Sequence, residues 1–325
     1  MQFTLGISSD LLTNEGKPCF GKKPLEKLYE KKDIHVEWME PNIQILSEKE
    51  TSKYDAILLN LPKLDKNSIN SKNNKLKIVS RFGVGYDSVD LEVLKKNKII
   101  LTNTPNSVRR PVAVASLTMI LSLSGKLMIK DNLVRKGRWN ERTNHMGVGL
   151  INKTLGIVGF GGIGREFVKI SKGLFKNIIC YDPFVGKEEM KNLQVDKVDF
   201  DDIANSSDFL VILCDLNEKT RGMIDRTFID KMKSSSYLIN LSRGPVVNEN
   251  DLIASLRQNK IAGAGLDVMT NEPIEENNEL LNLKNTILTP HSLCWTDECF
   301  DSIATEAITS ILNYFNNKKI INRVV

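Results

Sequence analysis

Apolar and polar positions along this chain fall into short blocks with a strand and helix rhythm. Apolar runs at Phe3–Ile7, Ile34–Trp38, Ala56–Leu59, residues 76–80 and residues 99–102 predict strands, because a strand covered on both faces need not alternate with polar residues. Amphipathic stretches at residues 24–31 and Leu91–Lys96 predict helices between them. Such alternation implies parallel strands joined by crossover helices. A small α/β unit is therefore complete before residue 104.

Turn residues at 103–105 follow, and then residues 110–129 carry apolar side chains around almost the whole circumference of a predicted helix. Pro111 suits its first turn. A helix apolar on most sides must be covered on most sides, either between two domains or within an ordinary core. The alternation then resumes, with strands at 155–158, 178–181, 209–213, 237–241, 262–266 and 287–288, and an amphipathic helix at 298–315. At or just past the carboxyl ends of these strands stand Gly159, Asp182, Asp215, Arg243, Asp267 and His291. Ligands of open parallel sheets bind beyond that edge, so the residues suited to chemistry are gathered on one side.

The second run of strands opens on a specific signal. Gly159, Gly161 and Gly164 follow the strand in G-x-G-x-x-G spacing, and an amphipathic helix starts there. The first glycine allows a tight turn, the second lets the backbone approach a pyrophosphate, and the third lets helix pack on strand. Asp182 ends the next strand, placed to accept hydrogen bonds from an adenosine ribose. Its charge would repel a 2'-phosphate, and Pro183 and Phe184 follow rather than an arginine. These features favour NAD over NADP.

Composition narrows the class. The 325 residues exceed one usual domain, and 41% hydrophobic with 26% charged residues suit a globular protein with a sizeable core. The net charge of +5 comes from scattered lysines, with no basic stripe and no aromatic platform for nucleic acid. The most apolar stretch, residues 112–123, is too short for a membrane span. The N-terminus shows no signal-peptide pattern. Five cysteines (Cys19, Cys180, Cys214, Cys294, Cys299) lack C-x-x-C or zinc spacing, so we expect reduced thiols, a cytoplasmic location and no metal site.

Three residues could carry the reaction. Arg243, between the strand YLINLS and Gly244, has the planar fork that grips a carboxylate bidentately; taken alone it reads more readily as a surface ion pair. Glu272 lies in an acidic loop with Glu275, Glu276 and Glu279, and His291 is one of three histidines, with His35 and His145. Together they make sense: a carboxylate bonded to an imidazole fixes its tautomer and supports its proton. An arginine beside them holds an acid substrate.

At this level the chain resembles the D-isomer-specific 2-hydroxyacid dehydrogenases. The resemblance rests on SRFGVGYDSVD (80–90), LGIVGFGGIG (155–164), the Asp of YDP, INLSRGPVVNENDLIASL (239–256), IAGAGLDVMTNEP (261–273) and LTPH (288–291). It implies two doubly wound parallel-sheet α/β domains of Rossmann and flavodoxin-like type. A nucleotide domain (105–292) is inserted in a substrate domain (1–104 with 293–325), and the active site lies in the cleft. It implies NAD as cofactor and a small 2-oxo or 2-hydroxy acid as substrate. Arg243 would bind the substrate carboxylate, His291 act as acid/base and Glu272 support its protonation. Val84 and Gly85 would offer backbone N–H groups to the same carboxylate. Gly159, Gly161, Gly162, Ile163, Gly164, Asp182, Asp215 and Asp267 would hold the cofactor, and a homodimer would form through the nucleotide domain.

The chain departs from the family pattern at Val112-Ala113-Val114, where Val-Ala-Glu is usual, at Asp215-Leu216-Asn217 before Thr220, and at Ser292-Leu293-Cys294-Trp295. Trp295 would either narrow the substrate pocket or pack in the domain interface. Arg109 and Arg110 open the long helix, as a solvated first turn or as contacts to an anionic substrate group. Two rivals remain: 3-phosphoglycerate oxidation, and an NAD-sensing, partner-binding protein like the family's corepressors.

Overall fold

The computed structural model describes residues 2–69 and 74–325. The chain forms two compact units, Met1–Val108 with Trp295–Val325, and Arg109–Cys294. The unit boundaries thus fall a few residues after 104 and 292.

In the first unit β1 (Phe3–Ile7), α1 (Lys22–Tyr29), β2 (Ile34–Trp38), α2 (Glu48–Thr51), β3 (Ala56–Leu59), β4 (Ile78–Arg81), α3 (Leu91–Lys96) and β5 (Ile100–Thr102) follow in order. Every strand pair is parallel, and the order is β2-β1-β3-β4-β5. That is the flavodoxin-like winding, reversing between β1 and β3. β3 is buried along its whole length, so its sequence AILL shows no alternation. Asp90 caps α3, its carboxylate accepting from the N–H groups of Glu92 and Val93.

The second unit runs α4 (Arg109–Ser124), α5 (Leu127–Arg135), β6 (Thr154–Val158), α6 (Gly162–Ser171), β7 (Asn177–Tyr181), α7 (Lys187–Lys191), β8 (Asp196–Lys197), α8 (Phe200–Ser206) and β9 (Phe209–Ile212). It continues through α9 (Arg226–Ile229), β10 (Tyr237–Asn240), α10 (Glu249–Arg257), β11 (Gly263–Leu266) and β12 (Thr286–Leu288). Its seven strands are parallel in the order β12-β11-β10-β9-β6-β7-β8, the Rossmann winding with its switch point between β6 and β9. Successive residues feed opposite cores. Phe209, Val211, Tyr237 and Ile239 join Met119, Phe160 and Phe167 on one face; Leu210, Ile212 and Leu238 join Ile203, Phe228 and Leu252 on the other. Helix α11 (Asp297–Phe315), capped by the Thr296 hydroxyl, belongs to the first unit.

One expectation is corrected. The helix foreseen over 110–129 ends at Ser124, and after Gly125 and the left-handed Lys126 (φ 52°) α5 starts at 58° to it. Nor is α4 covered all round: Ala113, Met119, Ile120 and Leu123 are buried, whereas Val114 and Leu121 are exposed. Apolar residues of two differently directed helices had merged into one apparent pattern. Among the described residues no single helix is long and apolar enough to cross a membrane. The short β8 lacked the apolar run that would have announced it.

Candidate active site

The glycine turn is built by contact as much as by conformation. Gly159, just after β6, has φ +102°, and a Cβ there would stand 2.6 Å from the Cys214 backbone nitrogen beyond β9. A Cβ on Gly164 would lie 2.4 Å from the Gly159 carbonyl oxygen, so helix α6 presses directly on the turn. Nothing lies within 4 Å of a Cβ on Gly161, the residue before α6. That open backbone at a helix N-terminus is what a pyrophosphate needs. Gly162 and Ile163 open the helix itself.

Asp182 closes the other side. Its Oδ2 accepts from the Phe160 N–H at 2.7 Å and its Oδ1 from the Phe184 N–H at 2.8 Å, tying the end of β7 to the glycine turn. Each carboxylate oxygen keeps a further lone pair for a ribose hydroxyl. The cradle therefore fits NAD. Asp215 is exposed past β9; its carboxylate accepts from the Asn217 amide at 3.1 Å, and its carbonyl from the Thr220 hydroxyl at 2.7 Å.

Arg243 follows β10. The Asn240 amide donates to the Arg243 carbonyl at 2.9 Å, and Arg243 Nη1 donates to the Ser242 carbonyl at 2.8 Å. The next residue, Gly244, shapes this turn. A Cβ on Gly244 would lie 1.9 Å from the Met269 carbonyl oxygen, so only glycine lets the Arg243 turn abut the loop that carries Glu272. That loop is braced twice. Met269 N–H donates to Glu272 Oε1 at 3.0 Å, and Thr270 N–H donates to Glu249 Oε2 at 2.9 Å.

Glu272 Oε2 stands 2.7 Å from His291 Nδ1. Burial pushes the Glu272 carboxyl up, but the hydrogen bond and charge of His291, the Met269 N–H and the charge of Arg243 outweigh it and hold it below its ordinary value. Arg243, Glu272 and His291 are thus one electrostatic group. His291 itself is held at φ +52°, a left-handed conformation rare outside glycine.

Asp267 explains how that backbone is kept. It is 3% exposed, and its Oδ1 accepts from the Thr289 hydroxyl at 2.6 Å, Ser292 N–H at 3.0 Å and Leu293 N–H at 3.1 Å. Burial raises its carboxyl, and those donors oppose the rise. Its visible contacts clamp the His291 loop from both sides.

Val84 and Gly85 lie in the first unit, after β4, where Asn103 donates to the Val84 carbonyl at 2.9 Å. Arg110 donates to Glu166 Oε1 at 3.0 Å, so its guanidinium is engaged by α6. The Trp295 ring packs edge-on against Phe300 of α11, centroids 5.0 Å apart. Sequence reading missed Gly244, Glu249 and Thr289. Of these only Gly244 left a signal, sitting directly after the arginine.

A Rossmann-wound sheet with a glycine turn, a ribose-placed acid and a histidine–carboxylate pair at one edge defines a dinucleotide-dependent oxidoreductase. The chain belongs to the D-isomer specific 2-hydroxyacid dehydrogenase family, whose NAD binding domain model matches residues 117–292. It is 36% identical to a glyoxylate reductase of Thermococcus litoralis, over 88% of each protein. It is 34% identical to a D-3-phosphoglycerate dehydrogenase of Archaeoglobus fulgidus over 85% of this chain but only 52% of that protein, about half its length. A D-lactate dehydrogenase of Aquifex aeolicus, solved with NAD and lactic acid, superposes with a TM-score of 0.82 at 25% identity over 96% of each chain. A glyoxylate reductase of Paecilomyes thermophila shows the same fold, with a TM-score of 0.85 at 24% identity over 99% of this chain and 98% of that one.

Proposed function

We propose that the protein interconverts a small 2-oxo acid and its D-2-hydroxy acid, with His291 as acid/base. The observation that carries this is the 2.7 Å contact between His291 Nδ1 and Glu272 Oε2. An ionised carboxylate only accepts, so Nδ1 carries the proton of that bond and Nε2 is left to exchange one with substrate oxygen. Bound NAD, held by Gly159, Gly161, Gly162, Ile163, Gly164 and Asp182, supplies the two-electron chemistry at carbon. Arg243 holds the substrate carboxylate. Glu272 stabilises the charged imidazole before its proton leaves, and Asp267 keeps the loop in place.

The relatives named glyoxylate reductase, matched over most of their length, support a short 2-oxo acid. The exposed apolar residues Leu127, Met128, Val134, Trp139, Met146 and Ile151 of the nucleotide unit support a homodimer through it. None of the five cysteines is in a disulfide, which suits a reducing cytoplasm. NADH absorbance followed with glyoxylate, hydroxypyruvate, pyruvate and longer 2-oxo acids tests the reading, with NAD and 3-phosphoglycerate in reverse. We expect turnover of a 2-oxo acid. Turnover of 3-phosphoglycerate alone would shift the substrate, and tight NADH binding without any turnover would favour a sensor.

A further inference from the structure

Gly162 is a glycine that the turn does not require. The fingerprint needs glycine at 159, 161 and 164, and Gly162 has no left-handed φ to explain it. Space explains it instead. A Cβ on Gly162 would stand 2.5 Å from Arg109 Nε and 3.1 Å from Arg109 Cζ, so the side chain of Arg109 lies across the first residue of α6.

That places an exposed cation, Arg109, beside the N-terminus of a helix. Arg109 is the first residue of α4, and its guanidinium also faces the N-terminus of α6, so it meets the positive ends of two helices. Neither helix carries an acid in its first turn. Among the described residues no side chain bonds or pairs with Arg109, whereas its neighbour Arg110 is paired with Glu166. The Arg109 side chain thus lies beside the N-terminus of α6, next to the open backbone of Gly161, while the neighbouring carboxylates Glu166 and Asp182 are engaged by Arg110 and by the Phe160 and Phe184 N–H groups.

We propose that Arg109 is a cofactor-binding residue whose guanidinium donates to the diphosphate of NAD, the missing glycine side chain at 162 being the room it occupies. This rests on the NAD reading above. A diphosphate at the N-terminus of α6 would bring opposite charge to the guanidinium, and the planar fork of arginine suits its oxygens.

The test is NADH binding, read by fluorescence on the full chain, for wild type, Arg109→Gln, Arg109→Lys and Arg110→Gln, with the melting temperature of each ligand-free protein. We expect Arg109→Gln to weaken NADH binding roughly 10- to 100-fold, the worth of a charge-assisted contact. Arg109→Lys should recover part of it, and Arg110→Gln should stay within about twofold. The ligand-free Arg109→Gln protein should melt no lower than wild type, since the variant removes a repulsion. Inorganic pyrophosphate should raise the melting temperature of wild type and not of Arg109→Gln. Equal NADH affinity in Arg109→Gln and wild type would overturn the role of Arg109 and leave the NAD reading standing. So would a lowered melting temperature with an equal loss of affinity in Arg110→Gln. Wild type that binds no NADH would overturn both.

Discussion

Glu272 Oε2 and His291 Nδ1 meet at 2.7 Å across 19 residues of chain, and the carboxyl is held below its ordinary value. A depressed carboxyl contributes stability above its unfolded value and loses it as pH falls through the folded one. We therefore expect Glu272→Gln to be less stable than wild type at neutral pH and the gap to close in acid, measured by denaturant unfolding across pH. The same variant loses the charge that supports the imidazole proton. The kcat for reduction should fall; an unchanged kcat would contradict the pairing.

Gly244 has no room for a side chain beside the Met269 carbonyl. Gly244→Ala must push the Arg243 turn away from the Glu272 loop. We expect KM for the acid substrate to rise at least tenfold with NADH affinity little changed, because the glycine turn at 159–164 is built separately. Steady-state kinetics beside NADH titration separates the two.

Asp267→Ala would leave the Ser292 and Leu293 N–H groups without their acceptor. Each such loss costs about 1–3 kcal/mol. Thermal melting should register the loss, and kcat should fall further than stability alone explains, as His291 leaves its left-handed backbone. Asp267→Asn, which keeps an acceptor oxygen, should recover much of both.

The exposed side chains of Met128 and Trp139 should sit in the dimer contact. Trp139→Glu is expected to halve the mass measured by light scattering at low micromolar concentration. A wild type that is already monomeric would remove the dimer from the reading.

Much of this was legible in the sequence because parallel strands buried on both faces print as apolar runs, and because the glycine spacing encodes steric facts. Arg243 and His291 could be named because each follows a strand at the edge where such sheets bind ligands, whereas Glu272, in an acidic loop, gained its role only beside them and through the family resemblance. What was not legible is contact between distant backbones. The bend at Lys126 hid inside continuous helical periodicity. Gly244 against Met269, and Arg109 over Gly162, are packing relations between segments far apart in the chain that no periodicity records. Asp267 was assigned to the cofactor by resemblance, and only its burial and its three donors reveal the clamp on the His291 loop.

The most direct test is kcat for His291→Ala with the best 2-oxo acid of the substrate series, in a variant shown to bind NADH as wild type does. We expect a fall of about 10²- to 10⁴-fold, the usual worth of a positioned general acid/base. Unchanged turnover would contradict the assignment of His291, and with it the mechanism built on the Glu272 pair.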